Sequence, residues 1–244
     1  MRTKTLFLTA LGSMSALGLM AQTSTNVYSL NAVGYINVVC PPGFSMIADQ
    51  LWASGGNSIS NILSDSDDHL DFVTIYKWTG SAFQVDNANN QIYSSPSGWS
   101  AGGQETLNPG EAIWFNNGTT NTITNTFVGT VPQGTNTVAL GTGFTMASSP
   151  VPQSGDLVTV MGLTNFNSGD TVYVYNPGTG YTTYNANFNL GQYGYNQDWE
   201  APAGPTPPAP SDPTYGDPYV NVGQGFWYDA TAPISFTRVF SVNQ

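Results

Sequence analysis

Basic residues are almost missing from this sequence. Only 4 residues are Lys or Arg, against 15 Asp and Glu, and His69 is the single histidine. Arg2 and Lys4 fall in an N-terminal leader, so Lys77 and Arg238 are the cations expected in the mature chain, with a net charge of −13. That balance excludes nucleic acid as a partner, because neutralising phosphates takes a basic face. It excludes an anionic membrane surface on the same ground. Cations, uncharged polymers and basic partners stay open. Cysteine is nearly absent too. Cys40 stands alone, so an intrachain disulfide is excluded, and one Cys with one His is too small a set for a zinc site. Long apolar runs are missing beyond residues 6–20, a stretch of signal-peptide length followed by small residues, with Ala21 expected before the cut. Residues 1–21 therefore read as a signal peptide. The expected location is outside the cytoplasm: secreted, extracellular or cell-surface associated, or periplasmic, with no transmembrane segment after the signal is removed.

Charged residues make up 8% of the chain, so its polar surface must come from Asn, Thr, Ser and Gln. With abundant Gly and aromatics, this suits extracellular β-structure. About 220 mature residues fill one large or two small domains.

What is present in quantity is repetition. "PGFSMIA" at 42–48 matches "TGFTMAS" at 142–148, and "IYKW" at 75–78 matches "VYVY" at 172–175. "GWS" at 98–100 matches "DWE" at 198–200, and "LNPGEAIWFNN" at 107–117 matches "VNVGQGFWYDA" at 220–230. "TITNTFVGTV" at 122–131 resembles "PISFTRVFSV" at 233–242. Five blocks in one order signify internal duplication. The boundaries follow: a first unit over 22–131 and a second over 132–244. The offset grows late in the second unit, where the proline-rich stretch 201–218 reads as a loop inserted into one copy. A strand near 127–131 is assignable to either unit, which predicts close packing of the two.

The blocks read as strands. "TIYKW" and "TVYVYN" are rich in β-branched and aromatic residues, with hairpin turns expected at Thr79-Gly80 and Pro177-Gly178. Alternation puts Ile113 and Phe115 on one face and Ala112 and Trp114 on the other; Phe226 and Tyr228 oppose Gly225 and Trp227. Ala112 and Gly225 are the small members, and close approach of a neighbouring strand or ring is the expected reason. Helix is scarce: a short one is predicted over 58–65 with Ser58 as its cap, and 157–163 is either a short helix or a strand. The fold class is all-β, two tandem duplicated β-sandwich-like units packed closely, with little helix.

The run "NAVGYINV…PPGFSMIA…TIYKW…LNPGEAIWF" resembles a group of uncharacterised secreted tandem β-repeat proteins of environmental bacteria. They share a Val-Gly-Tyr-Ile/Val-Asn opening, a Pro-Gly-Phe turn and a Pro-Gly-Glu-aromatic strand. More distantly, "NVGQGFWY" at 221–228 resembles a strand of β-rich modules near the C-terminal ends of bacterial surface proteins. The resemblance spans nearly the whole mature chain. It implies secretion and β-structure and carries no catalytic residues to transfer.

Candidate chemistry is thin. Asp65, Asp67, Asp68 and Asp71 are the densest acidic group and a candidate Ca²⁺ set, although the spacing is not that of an EF-hand; the alternative is a solvated acidic loop. No cofactor is required by any other motif. His69 has no nucleophile at a suggestive spacing. Cys40 is either a small buried residue at a strand end or a thiol for an interchain disulfide. Glu111 and Glu200 are the pair a glycosidase would need, but neither copy keeps both. Aromatics are the best binding candidates: Trp99, Trp114, Trp199 and Trp227 recur in pairs, and with Tyr193, Tyr195, Tyr215 and Tyr219 they would stack on sugar rings if exposed, whereas recurring tryptophans in a duplicated fold are also core candidates. The expected function is non-enzymatic: a secreted or cell-surface protein with a structural or adhesive role. The alternative is an extracellular glycan-binding module using exposed Trp and Tyr, and a glycoside hydrolase comes last. Extracellular polysaccharide or other surface proteins are the expected partners.

Overall fold

A computed structural model of the chain describes residues 32–64, 69–89, 92, 98–186, 199–200 and 216–242. The signal-peptide expectation for 1–21 and most of the proline-rich loop, 201–215, lie outside these residues. Among the described residues no helix is long and apolar enough to cross a membrane.

The first copy runs β1 (Val33–Cys40), β2 (Gly43–Ile47), α1 (Ile59–Ile62), β3 (Val73–Trp78), β4 (Phe83–Asn87), β5 (Ile113–Asn117) and β6 (Ile123–Thr130). The second runs β7 (Gly134–Leu140), β8 (Gly143–Ser148), β9 (Gly155–Asp156), β10 (Thr171–Asn176), β11 (Gly180–Ala186), β12 (Trp199–Glu200), β13 (Tyr219–Val220), β14 (Gly225–Ala230) and β15 (Ile234–Phe240). All pairings are antiparallel. The main sheets have the orders β2-β5-β3-β4 and β8-β14-β10-β11-β12, and each copy adds a two-stranded ribbon, β1-β6 or β7-β15.

Register makes the duplication concrete. Ile75 opposes Phe115 and Tyr76 opposes Trp114 in the first copy; Val172 opposes Tyr228 and Tyr173 opposes Trp227 in the second. Trp99 bridges to Ala88 where Trp199 pairs with Ala186. The repeated aromatic strands, β5 and β14, are each an inner strand of their sheet. The strand near 127–131 belongs to the first copy, because β6 pairs with β1 along its whole length, Val33 to Thr130 through Cys40 to Ile123. Each copy thus closes on itself by joining its first and last strands.

Two cores result. In the first, Ile36 and Phe127 from the ribbon pack on Ile47, Ile75, Ile113 and Phe115 from the sheet. In the second, Val138, Leu140 and Phe236 pack on Val172, Phe226 and Tyr228. Side chains alternate along each strand, so the residues between these point out of the far side of each sheet. There they form a third cluster around Met46, Ala112, Met146 and Trp227. By contact, the layers are ribbon, sheet, sheet, ribbon.

Two local expectations need correction. The helix over 58–65 shrinks to Ile59–Ile62, and the Ser58 side chain makes no capping hydrogen bond. Four residues are too few to gain from helix propagation. The stretch 157–163 is neither helix nor strand. It is a compact turn in which Leu163 N–H donates back to Leu157 O (2.8 Å), and it fills the second core with Leu157, Met161 and Leu163.

Candidate functional site

The outer faces of the two sheets meet about a pseudo-two-fold axis. Reciprocal contacts define it. Ala48 N–H donates to Gly223 O and Ser148 N–H to Gly110 O, both at 2.9 Å. Ile47 bridges to Gln224 and Ala147 to Glu111. A Cβ on Gly223 would stand 2.5 Å from Val38 Cγ2, and one on Gly110 would stand 2.8 Å from Val138 Cγ2. Every first-copy residue in this set has its second-copy counterpart in the matching role.

Aromatic rings line the seam in matched pairs. Trp78 meets Trp227 edge to face at 5.7 Å, and its mate Tyr175 meets Trp114 at 4.8 Å. Phe44 contacts Tyr76 at 6.0 Å and Trp114 at 5.8 Å; Phe144 contacts Tyr173 at 6.0 Å and Trp227 at 5.8 Å. Phe83 reaches across to Trp227 and Tyr181 reaches across to Trp114, each at 6.2 Å. These separations are those at which aromatic pairs attract beyond their buried area.

The rings do not close completely. Trp78, Phe83, Phe144, Tyr173, Tyr181 and Trp227 line an open cleft of about 400 Å³. Phe83, Phe144 and Tyr181 remain 42%, 48% and 50% exposed. Trp78 and Phe144 also line a second cleft of about 400 Å³, which is polar: Lys77, Thr79, Glu111, Thr137 and Thr145 face it. Between the two, Trp78 Nε1–H donates to Phe144 O at 2.9 Å. In the polar cleft Lys77 Nζ donates to Glu111 Oε2 (2.7 Å) and to the Thr106 carbonyl. Glu111 Oε2 also accepts from Asn108 N–H (2.7 Å), just as Gln224 Oε1 accepts from Asn221 N–H (3.0 Å) in the second copy. Glu111 and Gln224 thus fasten equivalent turns, and only the first copy adds an ion pair.

The sequence candidates fare differently. Trp99 and Trp199 are core residues, each 1% exposed, and are not available to a sugar. Trp99 Nε1–H donates to Leu63 O at 2.7 Å, so its polar atom is satisfied inside. Trp199 packs against Phe166 and Tyr228 in the second core. Both sit opposite an alanine, Ala88 or Ala186, which leaves room for the indole. Tyr219 on β13 is 51% exposed; Tyr193, Tyr195 and Tyr215 lie outside the described residues. So do Asp65, Asp67 and Asp68. Asp71 is half-buried, and among the described residues no group of three or more His, Cys, Asp or Glu is gathered to hold a metal ion. His69 is exposed. Cys40 is fully buried, and burial pushes its thiol up to about 11, against a hydrogen bond from Asn125. That favours the small core residue over the interchain disulfide. Glu111 is engaged with Lys77 in the first copy, while Glu200 sits on the edge strand β12 beside Asn185 in the second.

Three buried carboxylates are structural. Asp86 accepts from Ser100 Oγ and from the N–H groups of Asn87, Ala101 and Gly103, pinning the Trp99 turn to β4. Asp170 accepts from Tyr228 Oη, the N–H groups of Asn167 and Thr231, and Thr231 Oγ1. Burial opposes its charge, but these donors outweigh the penalty and hold its pKa below the usual range. Asp49 has less help. Burial pushes it up to about 7, against the hydrogen bond from Leu51 N–H.

Of the residues of the open cleft, Trp227 is a candidate from the sequence, whereas Trp78, Phe83, Phe144, Tyr173 and Tyr181 are not. The signal was there: β2, β3 and β10 carry large apolar residues on both faces, which marks a sheet covered on both sides. Alternation separates the faces without saying which face opens to solvent. Comparison with known protein families, curated proteins and solved structures returned no match.

Proposed function

We propose that this is a non-enzymatic exported protein with a structural or adhesive role at the cell surface, and that the outer face of its first ribbon is a contact surface. The observation that carries the reading is a difference between two copies of one fold. Both ribbons have the same task, to cover a core with their inner faces, and that task leaves the outer faces free. Val33, Tyr35 and Val39 are nevertheless 74%, 73% and 60% exposed, with Trp52 nearby at 49%. The equivalent positions, 100 residues on, are Gln133, Thr135, Ala139 and Pro152. The second copy folds without large apolar side chains there, so packing does not account for them in the first. Clustered exposed apolar side chains are a mark of contact surfaces.

The non-enzymatic reading is supported by the chemistry at hand: an exposed lone histidine, a buried thiol and a glutamate engaged with lysine. The test is a triple replacement, Val33→Gln, Tyr35→Thr and Val39→Ala, in the full chain expressed in its own cells. Envelope-associated protein should fall at least tenfold while the purified variant keeps its thermal midpoint. Unchanged retention in the envelope fraction would sink the reading.

A further inference from the structure

The open cleft on the seam is a second surface, chemically unlike the ribbon face and independent of it. We propose that it binds an uncharged polysaccharide chain, lying across the seam with sugar rings on the aromatic cleft and hydroxyl groups in the polar cleft beside it.

Seam packing explains why the aromatic rings touch, but not why Phe83, Phe144 and Tyr181 keep close to half of their surface open around one cleft. Phe83 comes from the first copy and Phe144 and Tyr181 from the second, so the cleft exists only where the halves meet. A pyranose is amphipathic in a particular way: one face presents C–H groups, while its rim presents hydroxyls that both donate and accept. The first half of that chemistry calls for exposed ring faces. The second calls for a mixed set of donors and acceptors within one sugar's reach of the rings. The adjoining cleft supplies such a set in Thr79, Thr137, Thr145, the Lys77 ammonium and the Glu111 carboxylate. It abuts the aromatic cleft through Trp78 and Phe144, which line both. Two connected clefts of about 400 Å³ each fall in the size range of ligand sites. They suit successive units of a chain better than one isolated sugar.

Charge selects among polymers. The aromatic cleft has no ionisable carboxylate or ammonium in its lining, and the polar cleft pairs its one ammonium with its one carboxylate at 2.7 Å. The whole chain carries −11. An acidic polysaccharide would meet repulsion with no compensating cation, so the fit is to a neutral one.

The test uses affinity electrophoresis and titration calorimetry of the full mature chain on mixed-linkage β-glucan, xyloglucan and galactomannan. Carboxymethylcellulose serves as the charged comparison, and a synthetic peptide of residues 201–213 as the proline-rich one, since aromatic grooves also take such peptides. Expected is binding to at least one neutral polymer, weakened at least tenfold by Phe83→Ala with Tyr181→Ala and left unchanged by Trp52→Ala on the other surface. Circular dichroism checks that the variants fold. In the unaltered protein, saturating polymer should also shift the tryptophan emission, because Trp78 and Trp227 line the cleft. Three results would overturn the proposal: no neutral polymer retained, retention indifferent to the cleft variants, or the peptide bound in the cleft in place of the polymers.

Discussion

A Cβ on Gly225 would stand 2.3 Å from the Cβ of Ala112. The two residues are counterparts in the repeat, each the small residue before its aromatic strand, and they face one another where the copies meet. Space exists there for one methyl group. Duplication produced two equivalent positions at a near-symmetric contact, and packing requires them to differ.

Gly225→Ala should therefore cost about 1–3 kcal/mol, the range for overfilling a packed core, and lower the thermal midpoint. Adding Ala112→Gly restores the single methyl. The double variant should regain most of the loss, because it exchanges one glycine for the other; what remains is the 3.0 Å approach of the new Cβ to Met46 Cγ. An unchanged midpoint in Gly225→Ala alone would contradict the contact.

Gly223 faces two constraints at once. Its φ is +74°, and a Cβ would meet Val38 Cγ2 at 2.5 Å. Gly223→Ala should lower the urea midpoint through both. Val38→Ala placed beside it removes the closest overlap, leaving Ile36 Cγ2 at 3.1 Å and the backbone term of about 1–2 kcal/mol. The double variant should then remain less stable than Val38→Ala by about that amount.

Asp49 should make stability depend on pH in the direction opposite to most carboxylates. Folded, it keeps its proton up to about pH 7; its reference value is 3.8. Between those values the folded state binds more protons than the unfolded state, so stability falls as pH rises and levels off above about 7. The full fall is roughly 4 kcal/mol. Urea unfolding of wild type and Asp49→Asn from pH 4 to pH 8 isolates it: the variant should gain on wild type as pH rises. A constant difference between the two would refute the assignment.

Asp170 works the other way. Its folded pKa lies below 3.8, so its contribution is fully present above that value and is lost as pH falls through the folded one. Asp170→Asn should cost about 1–3 kcal/mol at pH 7, because four donors then face an amide with one acceptor oxygen. The deficit should shrink in strong acid. Chemical denaturation at pH 7 and near pH 2 reads both ends.

Cys40 should behave as a core residue. With its thiol pushed up to about 11 and fully buried, native protein should not react with a thiol reagent at pH 8, while denatured protein should titrate one thiol per chain. Rapid native labelling would show the site open to solvent.

Much of the fold was legible beforehand. The collinear blocks predicted the duplicated all-β plan, and alternation correctly assigned Ile113 and Phe115 to one face and Ala112 and Trp114 to the other. Residues 58–65 and 157–163 were less legible, because short apolar stretches at turns satisfy helical and extended patterns alike. For Trp99 and Trp199 the sequence left core and binding roles both open, because recurrence in a duplicated fold fits either; long-range contacts with Leu63 and Phe166 decide for burial.

By itself the sequence determined the periodicities: which residues alternate, where turns fall, that one plan occurs twice and that charge is scarce. Those are local properties, set by side-chain size, branching and backbone preference within a few residues. Only the tertiary structure decided which sheet faces meet. It decided that one of Ala112 and Gly225 had to lack a methyl, and that Phe83, Phe144 and Tyr181 stay open while their neighbours close. These outcomes depend on the volume left between two surfaces far apart in the chain, and no window along the sequence contains both.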